Sequence, residues 1–145
     1  MFASKSRGFT LIELVVVITI LGILAAFAVP RFVALETQAR TASVQALEGS
    51  LRSAAALSRG MAMASGNPAS ITIDGQTVSL SNGYPAAADI TKTLADYTGF
   101  TAATSGTTTT FTRAGAATAA SCIVTYSPPA AAGGTPTIAS TTSGC

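Results

Sequence analysis

A single carboxylate, Glu13, sits inside an apolar run that extends from Phe9 to Val29, and this placement restricts the fold more than any other feature. About 21 residues cover roughly 32 Å as an α-helix, enough to cross the hydrocarbon core of a bilayer. A carboxylate in such surroundings costs about 2.5–3.5 kcal/mol on insertion scales and normally has a partner. Nothing inside the helix is expected to offer one, so the chain reads as built to meet other copies of itself. The blander reading is a tolerated carboxylate that snorkels to a nearby membrane edge.

Lys5 and Arg7 precede the run. Under the positive-inside tendency they keep the amino end cytoplasmic and put everything after Pro30 on the far side. Two helix breakers interrupt the segment. Gly22 weakens a helix by about 1 kcal/mol relative to alanine. Pro30 cannot donate to the Ala26 carbonyl, so a bend or local opening is expected there. The alternative is that Gly and Pro are simply commoner in membrane helices.

From Arg31 to about Ser65 the pattern stays helical but becomes amphipathic. Val44, Leu47, Leu51, Ala54, Leu57 and Met61 recur in steps of three and four, as one helix face requires. Glu36 and Arg40 form an acid-first i,i+4 pair. Gly66-Asn67-Pro68 is a stop signal. The period then switches to two. Ile71-Thr72-Ile73, Asp74-Gly75 and Thr77 to Leu80 predict a β-hairpin, and Asn82-Gly83-Tyr84-Pro85 a second turn. Ala87 to Tyr97 predicts a short helix with Ile90 and Leu94 inward. Thr107 to Arg113, Cys122 to Tyr126 and Thr137 to Thr142 predict strands, with an Ala/Gly/Pro loop from Pro128 to Pro136. Thr101 to Ser121 is Ser/Thr-rich and reads either as a stretch that carries sugars or simply as an exposed, flexible surface. A sheet laid against the second half of the helix would bury both apolar faces, which makes the fold class α+β.

Composition removes several functions. Of 145 residues only 10% are charged, and there is no histidine. The net charge of +2 comes from eight basic and six acidic groups; without Lys5 and Arg7 it is six against six. No basic patch is therefore predicted for nucleic acid. No Ser/His/Asp, Cys/His, phosphate-loop or paired-carboxylate arrangement exists to carry catalysis. Asp74, Asp89 and Asp96 are scattered rather than clustered as a calcium loop, and no metal or cofactor is expected. Tyr84, Tyr97 and Tyr126 read as packing residues. An exported protein with two cysteines, here Cys122 and Cys145, most simply makes one disulfide, worth about 3 kcal/mol in the chain-entropy model. Free or metal-binding thiols are the alternative, without a CxxC pair to favour them.

Lys5-Ser6-Arg7-Gly8-Phe9-Thr10-Leu11-Ile12-Glu13 resembles the class III signal sequence of type IV pilins, and Gly22 and Pro30 agree with the same pattern. Pro30-Arg31-Phe32, the hairpin leading into Asn82-Gly83-Tyr84-Pro85 and the late cysteine pair look most like the mannose-sensitive haemagglutinin type of major pilin. The resemblance implies a leader at 1–8, a transmembrane and filament-core helix at 9–29, an amphipathic helix packed on the head at 30–65, and a β-rich head at 66–145. It implies that a membrane aspartic peptidase, the prepilin peptidase, cuts after Gly8 and methylates the new amine of Phe9. Glu13 would then pair with the Phe9 amine of an adjacent copy. The stretch between Gly22 and Pro30 would unwind in the fibre, and Cys122 and Cys145 would bound a variable surface loop.

The implied partners are further copies of the chain in a helical homopolymer, the inner-membrane assembly machinery, and the lipid bilayer before assembly. The implied localisation is the bacterial inner membrane for the precursor, then an extracellular pilus. The charges fit this scheme on physical grounds. Within one helix the amine of Phe9 and the Glu13 carboxylate lie about 6 Å apart along the axis, whereas staggered copies can bring them together. Such a pair works more as a register device than as a large stabiliser. Head-to-tail contacts that do not close yield an open polymer. Two readings compete within the family, a pseudopilin of a type II secretion system and a minor pilin. Outside it, an ordinary secretory signal cut near Ala26-Phe27-Ala28 competes, although the apolar run exceeds the roughly 7–15 residues usual for such signals.

Overall fold

A computed structural model describes residues 8–145 of the chain. Lys5 and Arg7, and all but the last residue of the leader expected at 1–8, lie outside the described residues. The chain divides into two compact units, Met1–Thr37 and Gln38–Cys145. One helix, α1 (Leu11–Ala64), contributes to both. Seven strands and two short 3₁₀ helices follow, so the architecture is α+β with antiparallel sheets.

In the first unit every described residue is exposed. The segment is long and apolar enough to cross a membrane. The helix continues through Gly22, expected only to weaken it, and through Pro30, where the sequence predicts a bend or local opening; α1 is unbroken there in this conformation. Proline deletes one donor to the i−4 carbonyl; the ordered turns on either side hold the helix across that gap.

The second unit packs its part of α1 with a single stripe. Val44, Leu47, Leu51, Ala55, Ser58 and Ala62 are buried. Their steps of 3, 4, 4, 3 and 4 follow the α-helical repeat of about 3.6. The expected stripe is right through Leu51 and then slips. Ala54 and Met61 are half-buried, and Leu57 is 64% exposed. Following the largest apolar residues gives too short a period; small residues occupy the true contact line. Ser58 can be fully buried because its Oγ donates to the Ala54 carbonyl at 2.8 Å, within its own helix.

The strands are β1 (Ser70–Ile73), β2 (Gln76–Ser81), β3 (Tyr84–Pro85), β4 (Phe100–Ser105), β5 (Thr108–Arg113), β6 (Ile123–Ser127) and β7 (Thr137–Thr141). They form two sheets rather than the one expected, β1-β2-β3 and β4-β5-β6-β7. A 3₁₀ helix at Ala87–Thr93 replaces the longer helix expected there and packs against both sheets. Asp74-Gly75 and Asn82-Gly83 close the two turns of the first sheet, all four with positive φ (48°, 77°, 52° and 84°), as two-residue hairpins demand. Strand β4 begins at Phe100 and runs into the Ser/Thr-rich stretch that starts at Thr101. It pairs with β5 from Phe100↔Arg113 to Ser105↔Thr108.

The main core gathers Val44, Leu47, Leu51 and Ala55 of α1 with Ile90, Phe111, Val124, Tyr126 and Ile138. Leu94 is partly buried against it. A smaller cluster joins Ala62 to Ile71 and Val78. Two buried polar groups tie β3 and the 3₁₀ helix to the larger sheet: Tyr126 Oη donates to the Pro85 carbonyl at 2.7 Å, and Thr109 Oγ1 to the Ala87 carbonyl at 2.6 Å. Burial pushes the Tyr126 hydroxyl pKa far up. The Cys122–Cys145 disulfide is formed, closing a sequence separation of 23 with Cα atoms 4.9 Å apart.

Candidate functional site

Phe9, Ile12, Glu13, Val16 and Val17 border a shallow apolar depression of about 350 Å³. Ile12, Glu13, Val16 and Val17 share one face of α1, and Phe9, just ahead of the helix, borders the same depression, so Glu13 is the polar centre of an otherwise greasy strip. Phe9 is 82% exposed. A helix face of this composition is stable in lipid or against other helices, and not in water.

The carboxylate does have a partner within its own helix, which corrects the expectation that none is offered. Thr10 precedes the first helical residue, and its carbonyl accepts the Leu14 N–H at 3.3 Å. The Thr10 N–H donates to Glu13 Oε2 at 2.8 Å and its hydroxyl to the same oxygen at 2.6 Å. In return the Glu13 N–H points at Thr10 Oγ1 at 3.3 Å. This is a capping box, in which cap and third residue satisfy each other's orphan donors. Thr10-Leu11-Ile12-Glu13 carries its sequence signature, S/T-x-x-E, so the residue order alone announces it. The bonds use the Thr10 amide and leave Phe9 untouched, so a cut after Gly8 preserves them. Only one oxygen of the carboxylate is engaged, and an outward ion pair with the other remains sterically open.

The other sequence-predicted residues fall as follows. Gly8 and Phe9 lie just before α1, two and one residues ahead of the cap. Gly22 and Pro30 lie within α1, and a side chain at Gly22 would meet nothing within 4 Å. Cys122 and Cys145 are buried in the second unit. There the carboxyl-terminal end is pinned further: the Thr118 N–H donates to the Gly144 carbonyl, and the Gly144 N–H to the Ser121 carbonyl, both at 2.9 Å. Among the described residues no group of three or more His, Cys, Asp or Glu could hold a metal ion.

On the second unit, α1 is joined to β7 by polar contacts. Ser140 Oγ donates to Glu48 Oε2 at 2.5 Å, while Arg52 Nη2 bonds Glu48 Oε1 at 2.6 Å and the Ile138 carbonyl at 2.9 Å. Arg40 Nη1 donates to the Cys145 carbonyl at 2.8 Å. The Ser140 hydroxyl, and then Arg52, hold the Glu48 pKa below its ordinary value. These contacts brace α1 against β7, and Arg52 and Ile138 also border a shallow depression of about 310 Å³.

Residues 3–29 match the family model described as the prokaryotic N-terminal methylation motif. A type IV narrow pilus major component of Thermus thermophilus is 57% identical over 53 residues, which is 37% of this chain and 46% of that protein. The type IV major pilin of Myxococcus xanthus is 49% identical over 39 residues, 27% of this chain and 18% of that protein. The chain thus spans less than half the length of either curated relative. No solved structure gives a significant match. The chain carries the N-terminal methylation motif at residues 3–29, on the segment that holds the Phe9–Glu13 strip, and over part of its length it is similar to type IV major pilins.

Proposed function

We propose that this chain is the major structural subunit of a type IV pilus, polymerising with copies of itself into a surface fibre for adhesion, motility or biofilm. The observation that carries the reading is the Phe9–Val17 strip: an exposed apolar helix face with one carboxylate, inside a matched methylation motif. Water is a poor environment for that face, so a bilayer covers it before assembly and neighbouring helices cover it afterwards.

In this reading residues 1–8 are a leader removed after Gly8 by a prepilin peptidase. The new amine of Phe9 is methylated, and methylation keeps its positive charge. The mature cation at Phe9 then meets the Glu13 carboxylate of an adjacent copy, each subunit offering one charge to each neighbour. Inner-membrane machinery lifts subunits out of the bilayer, with residues 9–29 as anchor and fibre core, 30–65 as the amphipathic part and 66–145 as the outward head. Gly22 and Pro30 are the positions where the helix opens on assembly. The mannose-sensitive haemagglutinin type is the subtype favoured by Pro30-Arg31-Phe32, the Asn82 to Pro85 turn and the late cysteine pair. A pseudopilin or minor pilin would use the same leader but would not build the bulk of a long fibre.

The capping box makes one substitution decisive. Glu13→Val removes the charge and the cap together and cannot tell them apart. Glu13→Gln keeps an oxygen for Thr10, since glutamine serves at this position of the box, and removes only the charge. Glu13→Gln is expected to be inserted and processed to a mature chain beginning at Phe9, yet to yield few or no sheared fibres. Normal fibre yield from Glu13→Gln would reject the charge-pairing step. A mature chain beginning at Val29 would reject the pilin reading altogether in favour of a secretory signal.

A further inference from the structure

We propose that a groove on the second unit, centred on Arg59, binds an acidic saccharide through its carboxylate. The groove has a volume of about 550 Å³ and is lined by Arg59, Asn67, Pro68, Leu80, Asn82 and Gly83 among others. That volume lies within the range of about 300–1,000 Å³ typical of small-ligand sites and exceeds what a single acidic side chain fills.

Arg59 is half-buried, and among the described residues no carboxylate pairs with it. Among the described residues its polar partner is the neutral Asn67 Oδ1, at 3.1 Å from Arg59 Nη1. By contrast Arg52 pairs with Glu48 and Lys92 with Asp89. A partly desolvated cation is normally matched by an anion, because its lost hydration is offset only by an opposite charge or full hydrogen bonding. Arg59 is held in place instead by packing. It lies over the Tyr84 ring, 5.6 Å from the centroid, a favourable cation–π position. It also lies across the backbone of Gly83, where any Cβ would overlap the guanidinium.

Pre-positioned in this way, the planar fork retains donors for the two oxygens of a carboxylate, the geometry for which arginine is suited and lysine is not. The rim is fixed as well, since Asn82 Nδ2 donates to the Pro129 carbonyl at 2.7 Å and ties the turn to the loop carrying Ala132 and Gly133. That bond leaves Asn82 Oδ1 as an acceptor, and the Asn67 amide nitrogen remains as a donor. Hydroxyls of a sugar match such groups, and Leu80 and Pro68 offer apolar contact to its C–H face. The size and the amide lining favour a uronic acid over a bare carboxylate.

The inference does not depend on polymerisation and is tested on the unassembled full chain in detergent micelles. Backbone amide resonances of Ala69, Gly83 and Gly133 are followed as sodium glucuronate is added, with glucose and sodium acetate as controls. Saturable shifts are expected with glucuronate, at least tenfold tighter than with either control. Arg59→Gln is expected to weaken binding at least tenfold. So is Asn67→Asp, which supplies the missing counter-ion internally and needs no change in the left-handed backbone at φ 55°. Absence of saturable shifts, equal response to glucose or acetate, or unchanged binding by Arg59→Gln would overturn the proposal. It would also be overturned if assembled fibres without sugar already showed the shifted resonances and Arg59→Gln lowered fibre yield, since the groove would then hold a neighbouring copy's carboxylate. A chain that fails to polymerise but binds glucuronate would leave this inference standing and reject the fibre reading alone.

Discussion

Residues 11–37 and 38–64 belong to one helix yet satisfy opposite physical demands. In the first stretch every residue is exposed, and two of its side-chain hydrogen bonds are local, from Thr10 to Glu13 and from Thr19 Oγ1 to the Val15 carbonyl at 2.7 Å. In the second, a stripe from Val44 to Ala62 is buried, and polar residues reach across to β7. The second unit supplies its own apolar core. The first supplies a surface that some other apolar medium must cover. Continuous helix therefore says nothing about where stability comes from; the identity of what covers each face does.

The largest effects that could break this division are core truncations. Leu51→Ala, at a fully buried position, is expected to cost the second unit about 2–5 kcal/mol. Leu57→Ala, on the exposed side of the same helix, is expected to stay within about 0.5 kcal/mol. Thermal or denaturant unfolding of the two variants in micelles measures the difference. Equal losses would mean that the buried stripe follows Leu57 after all. Neither change should alter the proposed cut after Gly8, which intact mass reports.

Tyr126→Phe comes next. It keeps the ring that fills the core and strands the buried Pro85 carbonyl, which accepts from Tyr126 Oη at 2.7 Å. Leaving such an acceptor unpaired costs about 1–3 kcal/mol. A loss below about 0.5 kcal/mol in denaturant unfolding would show that this bond contributes little beyond a water-mediated one.

How much of the molecule is legible in the sequence differs between the units for a physical reason. The apolar run, its length and its lone acid are properties of contiguous residues, so they can be read directly. The hairpin turns are equally legible, because Asp74-Gly75 and Asn82-Gly83 favour positive φ whatever surrounds them. The slip of the stripe beyond Leu51 is not. Ala55, Ser58 and Ala62 are inside because neighbouring elements approach closely there, and that proximity is a tertiary fact. Strand β4, Phe-Thr-Ala-Ala-Thr-Ser, escapes a sequence reading for a related reason. As an edge strand with exposed outward residues it needs only β5 to hold it, and its alanines carry little strand propensity. The capping box is written in four contiguous residues, but an acid inside an apolar run reads first as a costly charge, which masks its second role at the helix end. The Arg59 groove brings together α1, two turns and a loop, and no sequence signal predicts it.

Thr10→Ala sharpens the comparison from the side of the first unit. It removes the hydroxyl that caps the helix and one of the two bonds to Glu13 Oε2, for a local cost of about 1 kcal/mol. The expected result in micelles is faster amide exchange at Ile12, Glu13 and Leu14, with unchanged unfolding of the second unit. Uniform exchange across Thr10→Ala and the parent chain would show that lipid or detergent, rather than the box, orders this helix end.

The smallest expected effect is that of acid, and it should fall on the second unit. Lys92, and then the Ser79 N–H, hold the Asp89 pKa below its ordinary 3.8, and Ser140 with Arg52 does the same for Glu48 below 4.5. A carboxylate whose folded pKa is depressed contributes stability that is fully present above its unfolded pKa and is lost as pH falls through the folded one. The unfolding midpoint should therefore be flat at neutral pH and decline as pH falls below about 4.5. Both carboxylates are half-buried, but their cationic partners are more exposed, Arg52 at 57% and Lys92 at 38%, so screening keeps the decline shallow and salt should reduce it further. In Glu48→Gln the upper part of that decline should flatten while the part belonging to Asp89 persists. If the two profiles superimpose, the brace from Ser140 and Arg52 has no thermodynamic weight, and apolar burial alone joins α1 to β7.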